Sequence, residues 1–182
     1  MALIGLKNIY YAKLTKDDTT GATYETPKKI GNAISVDIKT NSNTAKLYGD
    51  DMAVASNTTI LDSTVTIETT DIPMEDRAIL LGHTVHNETG LITAKGSDSP
   101  PYVAILFESD THDGKTRYYK WLKGKFAPTQ ETINTRGENL EYQTPKMEAT
   151  FVARQYDGAY EMIADSDNSL SESLISSWYE SV

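Results

Sequence analysis

The side chains that could perform chemistry are few in this sequence, and they do not form a catalytic set. The three histidines are His83, His86 and His112, and the first two follow a predicted helix stop at Gly82. Zinc prefers histidines one helical turn apart, or at short loop spacing with further ligands. The sequence has no cysteine, which excludes disulfides, thiolate metal sites and a thiol nucleophile. We therefore predict turn or surface histidines, no bound metal and no cofactor.

Adjacent carboxylates are the other candidates for chemistry, because paired acids serve glycosidases as general acid and base. The pairs are Asp17-Asp18, Asp50-Asp51 and Glu75-Asp76. Neighbours on a chain point apart and these pairs lie in polar segments, so a solvated surface is expected. Asp165-Ser-Asp-Asn168 resembles the start of a calcium loop, but Ser176 stands where the loop needs its last acid, and helix capping is expected instead. The sequence also lacks phosphate-binding and hydrolase motifs, and we predict no enzyme and no catalytic residues.

The net charge of −9 argues against several classes of partner. Binding to nucleic acids or to anionic membranes requires a basic surface. The apolar residues 1–6 lack the basic region of a signal peptide, and no stretch approaches the length of a membrane helix. We therefore expect a protein that is made in a cytoplasm and does not contact a membrane.

The most aromatic strand of the sequence is apolar on both of its faces. Tyr119 and Trp121 share one face, and Tyr118, Leu122 and Phe126 share the other. A strand of this kind is covered on both faces. The cover is either a core on one side with a C-terminal helix on the other, or a neighbouring subunit.

Cations interleave with these aromatic residues. They are Lys115, Arg117, Lys120, Lys123 and Lys125. Such a pattern suits single-stranded nucleic acid, because bases stack on rings while phosphates meet the cations. On so acidic a chain, an acidic patch on a partner subunit is the more plausible contact.

Alternation of apolar and polar residues dominates the chain and predicts a mainly β fold. Half-buried strands are predicted at Ile34–Ile38 and Ser63–Thr69, and a strand covered on both faces at Tyr102–Phe107. Asp113-Gly114 and Asp157-Gly158 each predict a tight antiparallel hairpin, because Asp-Gly supplies the positive φ angles that such turns need.

Two helices and one bend are also predicted. A proline start, early acids and a glycine stop predict a short helix at Pro73–Leu81. Apolar residues on one helical face predict a second helix at Leu170–Tyr179, within a C-terminal segment 169–181 that opens with a Ser-x-x-Glu capping box. The apolar phase of the chain shifts across Pro145, which predicts a bulge or bend there.

The segment Lys39–Thr59 has no strong period and is predicted to be a long loop. Long loops in compact domains are often functional. Leu47, Tyr48, Met52 and Val54 are too many apolar residues for a simple solvated loop. The segment is either an arm that buries these side chains against another surface, or a further short strand of the same domain.

Three segments carry a resemblance to a known family: Gly5–Leu14, the Tyr-Lys-Trp-Leu-Lys-Gly-Lys-Phe-Ala-Pro run at 119–128, and Gln143-Thr-Pro. They are similar to the major tail proteins, the tail-tube subunits, of long-tailed phages of low-GC Gram-positive bacteria. The resemblance implies one domain over residues 1–182, an antiparallel β-sandwich or barrel with one short flanking helix and a C-terminal helix at 169–181. It also implies hexameric rings that stack into a tube, with strands continuous between subunits around the lumen.

The resemblance further implies a long loop that reaches the next ring or neighbour, and residues 39–59 match it. Implied partners are a tape-measure protein and a tail terminator, with DNA passing through the lumen without specific binding. The protein would be part of the virion tail, assembled in the host cytoplasm. Six copies at −9 carry −54, and acids that face the lumen would repel DNA phosphates. The predicted self-assembly residues are Leu47, Tyr48, Met52, Val54, Tyr119, Trp121, Lys120, Lys123 and Lys125.

A function of a different class stays open at this point. A carbohydrate- or protein-binding β-sandwich could use Tyr118, Tyr119 and Trp121 as a stacking platform. Such a module would remain monomeric or dimeric. The resemblance also does not separate a flexible, non-contractile tail from the inner tube of a contractile one.

Overall fold

One large antiparallel sheet organises the fold in this computed structural model, which describes residues 2–128, 133, 135, 143–166 and 172–182. The strands are β1 (Lys7–Asp18), β2 (Gly21–Tyr24), β3 (Lys28–Lys29), β4 (Ala33–Gly49), β5 (Met52–Thr69), β6 (Thr84–His86), β7 (Leu91–Thr93), β8 (Val103–Asp110), β9 (Thr116–Ala127), β10 (Lys146–Phe151) and β11 (Glu161–Asp165). The described helices are α1 (Met74–Leu81) and α2 (Glu172–Ser176).

The large sheet has nine strands and places β9 at its centre. Its order is β2-β1-β8-β9-β10-β5-β4, with β3 beside β1 and β11 beside β9. Strand β9 pairs with β8 along one edge and with both β10 and β11 along the other. Strands β6 and β7 form a separate ribbon. The described pairs are antiparallel, which confirms the prediction of a mainly β, antiparallel fold.

The β8–β9 hairpin is confirmed, whereas the second predicted hairpin is wrong. Asp110 pairs with Thr116 around a turn in which Gly114 has a φ of 76°. Strands β10 and β11 both run antiparallel to β9 along the same edge and do not pair with each other. Asp157-Gly158 instead turns a short excursion, residues 152–160, between them. Asp157-Gly158 does form a turn, but this turn leads the chain back to the edge of β9 with which β10 also pairs, so β11 does not pair with β10.

A β-bulge in β9 determines which aromatic rings enter the main core. Val103 pairs with Gly124 and Ile105 pairs with Trp121, so β9 carries one more residue than β8 over this step. The extra residue reverses the alternation of faces. Phe126 therefore joins Trp121 in the same core. The prediction that these two rings lie on opposite faces is wrong.

The other strand predictions differ in outcome according to their place in the sheet. In Ser63–Thr69 the alternation is confirmed, and β8 is buried on both faces along most of its length. Ile34 and Ile38 are 44% and 43% exposed, because they belong to the last strand of the sheet. The predicted phase shift at Pro145 lies partly outside the described residues, since these include the proline and β10 but not 140–142.

A second, smaller cluster covers the opposite face of β8 and β9. Ala104 and Leu106 pack there with Trp178 of the C-terminal segment. The rings of Tyr118 and Trp178 lie 5.5 Å apart. The C-terminal segment thus covers this face, as the first of the two predicted alternatives requires. Helix α2 ends at Ser176 rather than at the predicted Tyr179, and Ser169 of the predicted capping box lies outside the described residues.

Helix α1 is confirmed, and one of its acids is buried. The helix ends at Gly82, whose φ of 74° is left-handed. Asp76 is 1% exposed and accepts a hydrogen bond of 2.8 Å from the hydroxyl of Tyr11. It also pairs with the ammonium of Lys28 at 2.6 Å. These contacts attach α1 to β1 and β3, so the expectation of a solvated acidic pair is wrong for Asp76.

The segment predicted to be a long loop, residues 39–59, is part of a β-hairpin. Strands β4 and β5 pair from Ala33 and Thr69 to Gly49 and Met52, with bulges along the way. The sequence gives no period-two signal here because most side chains between 42 and 60 are exposed on both faces of the hairpin. Without a core to cover, threonine, asparagine and serine can occupy either face.

Candidate functional site: a projecting hairpin arm

The distal part of the β4–β5 hairpin extends beyond the rest of the sheet and is called here the hairpin arm (residues 41–62). It begins past the pair formed by Thr40 and Ser63, of which Ser63 is still buried. Beyond this pair, no other described strand pairs with β4 or β5. At about 3.4 Å per residue, residues 41–49 extend over roughly 30 Å.

Side-chain hydrogen bonds and a tight turn define the shape of the arm. The amide of Asn41 donates to the carboxylate of Asp62 at 2.6 Å, and the hydroxyls of Thr44 and Thr58 lie 2.9 Å apart. At the end, Asp50 and Asp51 have φ angles of 50° and 60°. Positive φ at both central residues is the signature of the type I′ hairpin turn, and aspartate tolerates this conformation.

Large apolar side chains are exposed at the end of the arm, and the sequence predicted these four for assembly. Leu47 is 66% exposed, Tyr48 65%, Met52 72% and Val54 67%. We call these four residues the apolar tip. Val54 is the extra residue of a bulge, since Leu47 and Tyr48 pair with the residues on either side of it. Clustered apolar exposure of this kind marks interaction surfaces.

The predicted aromatic members of the assembly set lie inside the subunit. Trp121 is 1% exposed and Tyr119 is 9% exposed. The ring of Tyr119 stacks on Phe107 at 4.8 Å, and Trp121 meets Phe151 edge-on at 5.6 Å. Because these rings are buried, the surface platform that a carbohydrate-binding module would need is not formed by them.

Lys120 is enclosed by the C-terminal segment. It is 7% exposed, and its Nζ donates to the carbonyl of Ser181 at 2.7 Å. The same ammonium lies 4.3 Å from the centre of the Trp178 ring. Burial lowers the pKa of Lys120 to about 8, and no described carboxylate forms an ion pair with it.

The other two predicted lysines lie further along β9. The ammonium of Lys123 pairs with the carboxylate of Asp17 at 2.6 Å, and both side chains are largely buried. The ammonium of Lys125 lies 4.5 Å from the centre of the Tyr102 ring. The structure therefore does not bring the lysines to the arm, and Lys120 and Lys123 contact residues of their own chain.

Asp17 forms a junction that the sequence did not reveal. Besides the ion pair with Lys123, its carboxylate accepts hydrogen bonds from the amides of Gln155 and Tyr156 at 2.9 and 3.1 Å. Burial alone would raise the pKa of Asp17, but these amides and Lys123 hold it below its ordinary value. Its partners stand up to 139 positions away, so no local pattern marks it. The expectation of a solvated surface is wrong for this acid.

The histidines are held by single polar neighbours. Nδ1 of His83 lies 2.9 Å from the carboxylate of Asp98, and Nε2 of His86 lies 3.1 Å from the hydroxyl of Thr93. His112 is exposed. Over the described residues, histidines and acids do not come together in any group of three or more that could hold a metal ion.

Helices of the described chain are also all too short or too polar to cross a bilayer.

Comparison with known sequences identifies the family. Curated proteins give no significant match. A family model described as phage tail tube protein matches residues 1–176 of the 182. The match includes the arm and the central strands of the sheet. The chain therefore belongs to the phage tail tube protein family, the structural subunits that assemble into the tail tube of the virion.

Proposed function

We propose that this chain forms hexameric rings that stack into a tail tube, and that the tube conducts DNA into the host. The observation that supports this most directly is the projecting arm with its exposed apolar tip. Burial of apolar surface contributes about 25 cal/mol per Å². An exposed tip gains this free energy when a second subunit covers it, so the arm favours contact between copies.

The edges of the sheet support a closed ring. Strands β2 and β4 end the order of the sheet, and each pairs with one described neighbour along it. Unpaired edges invite strand addition unless something covers them. Head-to-tail pairing of such edges either closes into a ring or continues as a filament. A ring of six copies would pair these two edges in every subunit.

The charge of the chain supports passage of DNA. With a net charge of −9 per subunit, the acids that face the lumen would repel phosphates, so that DNA slides without being bound. The proposal includes a tape-measure protein in the lumen and a tail terminator at the end of the tube. It also includes assembly in the cytoplasm of a Gram-positive host.

Negative-stain electron microscopy of the purified protein tests the proposal. Concentrated protein is expected to form six-membered rings or tubes, with a delay that reflects slow nucleation. A protein that stays monomeric at all salt and protein concentrations would contradict it.

A shortened arm tests the role of the hairpin. Residues 43–59 are removed, and Ser42 is joined to Ile60 through an Asn-Gly turn, which keeps the register of the remaining pairs. The variant should keep its fold, since the removed side chains are not part of the described core, but it should not form tubes. Unchanged tube formation would show that the arm is not required.

A milder pair of variants controls for the deletion. Leu47→Ser with Met52→Ser removes two apolar side chains of the tip, and Leu91→Ser removes one of similar exposure, 61%, from β7. Tube formation is expected to fall in the first variant and to stay normal in the second. Equal loss in both would indicate a general effect on solubility or folding.

A further inference from the structure

A groove lies between β11 and the C-terminal segment. It has a volume of about 440 Å³ and is lined by Lys120, Met162, Ile163, Ala164, Leu174 and Trp178. Met162 and Ile163 are 38% and 55% exposed. Strand β11 pairs with β9, and its other edge has no partner among the described strands. We call this the β11–α2 groove; an open strand edge beside apolar pockets is a common way to receive an extended segment.

The charges around the groove favour an acidic guest. Asp165 also lines it, but its carboxylate pairs with Arg117 at 2.8 Å. Lys120 contacts the carbonyl of Ser181 and the ring of Trp178, and none of the described ion pairs includes it. Its lowered pKa shows that burial disfavours the charged form. A carboxylate placed next to a buried cation compensates for this loss of hydration.

The end of the hairpin arm has the matching composition. Its turn carries Asp50 and Asp51, flanked by the apolar tip. In the single subunit these apolar side chains are about two-thirds exposed or more, so the tip is not seated in the groove of its own chain. The guest and the groove therefore belong to different copies if they meet.

We propose that the tip of one subunit's hairpin arm docks in the β11–α2 groove of a second copy, with its aspartates towards Lys120. This inference rests on the proposed tube assembly and names the surface that receives the arm. The apolar side chains of the tip pack against Met162 and Leu174, and the turn brings its acids to the cation. Each subunit has one tip and one groove, so the contact is head-to-tail and propagates.

Cross-linking of introduced cysteines tests this contact, and the lack of native cysteine makes the result unambiguous. Ala55→Cys is placed on the arm, opposite Leu47, and Ile163→Cys is placed in the groove. Tubes of the double variant are collected by sedimentation and treated with a short bis-maleimide. A covalent ladder longer than dimers supports the proposal. Sedimented tubes without a ladder overturn it.

A matched control replaces the groove cysteine by Leu91→Cys on β7, which is 61% exposed. This variant should assemble without giving the ladder. A ladder of equal intensity would mean that cross-linking reports crowding in the tube, and would also overturn the proposal.

The acids are tested separately from the shape of the turn. Asp50→Asn with Asp51→Gly keeps a type I′ turn, for which Asn-Gly is the best sequence, and removes both charges. If the acids meet Lys120, this variant assembles more slowly than the parent or requires a higher concentration. If assembly is unchanged or faster, the proposed contact with Lys120 is wrong.

Failure of this inference is distinguishable from failure of the proposed function. If the parent chain forms no rings or tubes, the proposed function fails. If Leu47→Ser with Met52→Ser still forms normal tubes, the proposed tube assembly stands, but the apolar tip is not an assembly element and the inference fails. If that variant forms no tubes, while the cysteine pair gives no ladder in parent-like tubes, the arm binds elsewhere and the inference alone fails.

Discussion

Gly124 controls the packing of the main core at the scale of a single residue. It follows the β9 bulge, and the ring of Phe151 fills the space where a side chain would project. A Cβ atom at this position would lie 2.5 Å from the ring. Contacts this close force the ring or the backbone to move, and the core offers little room because it is already packed.

Gly124→Ala is therefore expected to destabilise the protein. The free energy of unfolding should fall by about 1–3 kcal/mol, the usual cost of overpacking a core. Urea unfolding followed by circular dichroism measures it. Gly21→Ala is the control, because nothing lies within 4 Å of its Cβ position. Equal effects of the two substitutions would show that the Phe151 contact is not the cause.

The lowered pKa of Lys120 leads us to expect that the free energy of unfolding depends on pH. This pKa is about 8 in the folded protein and near 10.5 when unperturbed, so the unfolded chain binds this proton more strongly. The contribution of Lys120 to the free energy of unfolding therefore rises as the pH increases from about 8 towards 10.5. Lys120→Met lacks this titration.

The measurement compares urea unfolding of the parent and Lys120→Met. The stability of the parent relative to the variant should increase by about 2 kcal/mol between pH 7 and 10. Taking the difference removes the titration of the tyrosines, which is common to both proteins. A difference that does not change with pH would mean that the ammonium is as well solvated in the fold as in the unfolded chain.

At the scale of elements, Asp17 ties the start of the chain to the excursion between β10 and β11. Its carboxylate accepts hydrogen bonds from two backbone amides and from the ammonium of Lys123. Because its pKa is lowered, the stability that it contributes is present above the ordinary carboxyl pKa and is lost as the pH falls through the lowered value. Residues 152–160 should thus loosen when this carboxylate is removed.

Hydrogen exchange tests this link with Asp17→Asn. The amides of Gln155 and Tyr156 are expected to exchange at least about tenfold faster, the rate change for a loss of about 1.4 kcal/mol. Asp18→Asn is the matched control, since Asp18 bonds to Thr20 within its own turn. Protection that is unchanged in Asp17→Asn would mean that the excursion is held by other contacts.

The elements that could be predicted from the sequence are those defined by local chemistry. Ser63–Thr69 alternates because one face covers the core, and Pro73–Leu81 has its own start and stop signals. The local alternation puts Phe126 on the wrong face because the bulge depends on how β8 pairs with β9, and that pairing lies outside the local pattern. Asp157-Gly158 shows the same limit, since a turn signal contains no information about which strand follows it.

Some residues of the candidate site could likewise be predicted from local chemistry, and others could not. The four tip residues could be selected because large apolar side chains interrupt a polar segment. The charge of Lys120 and Lys123 predicts an assembly role, yet burial and partners distant in the sequence decide where these side chains point. The β11–α2 groove had no sequence signal, because it forms between segments that become neighbours only in the fold.

At the scale of the whole molecule, like charges oppose assembly. Copies of a chain with net charge −9 repel one another as they approach. Salt screens this repulsion, with a Debye length of about 10 Å at 0.1 M and about 30 Å at 0.01 M. Contacts driven by apolar burial are not weakened by such screening.

Tube formation is therefore expected to accelerate with salt. Light scattering at fixed protein concentration should show a shorter delay and a faster rise as sodium chloride increases from about 0.01 to 0.1 M. The opposite trend, in which salt slows assembly, would mean that attraction between charged groups outweighs the overall repulsion of the subunits.

The order of strands in the sheet also determines which strand edges stay unpaired while the protein is being synthesised. Strand β5 is complete at residue 69, but β10, which covers its second edge, begins at residue 146. At roughly 5–20 residues per second, the ribosome needs about 4–15 s to make the intervening chain. The arm and the edge beside it are therefore finished well before the strand that completes the sheet. On a polysome, neighbouring nascent chains present these surfaces to one another during that interval, so the speed of translation influences how much subunit reaches the tube rather than an aggregate.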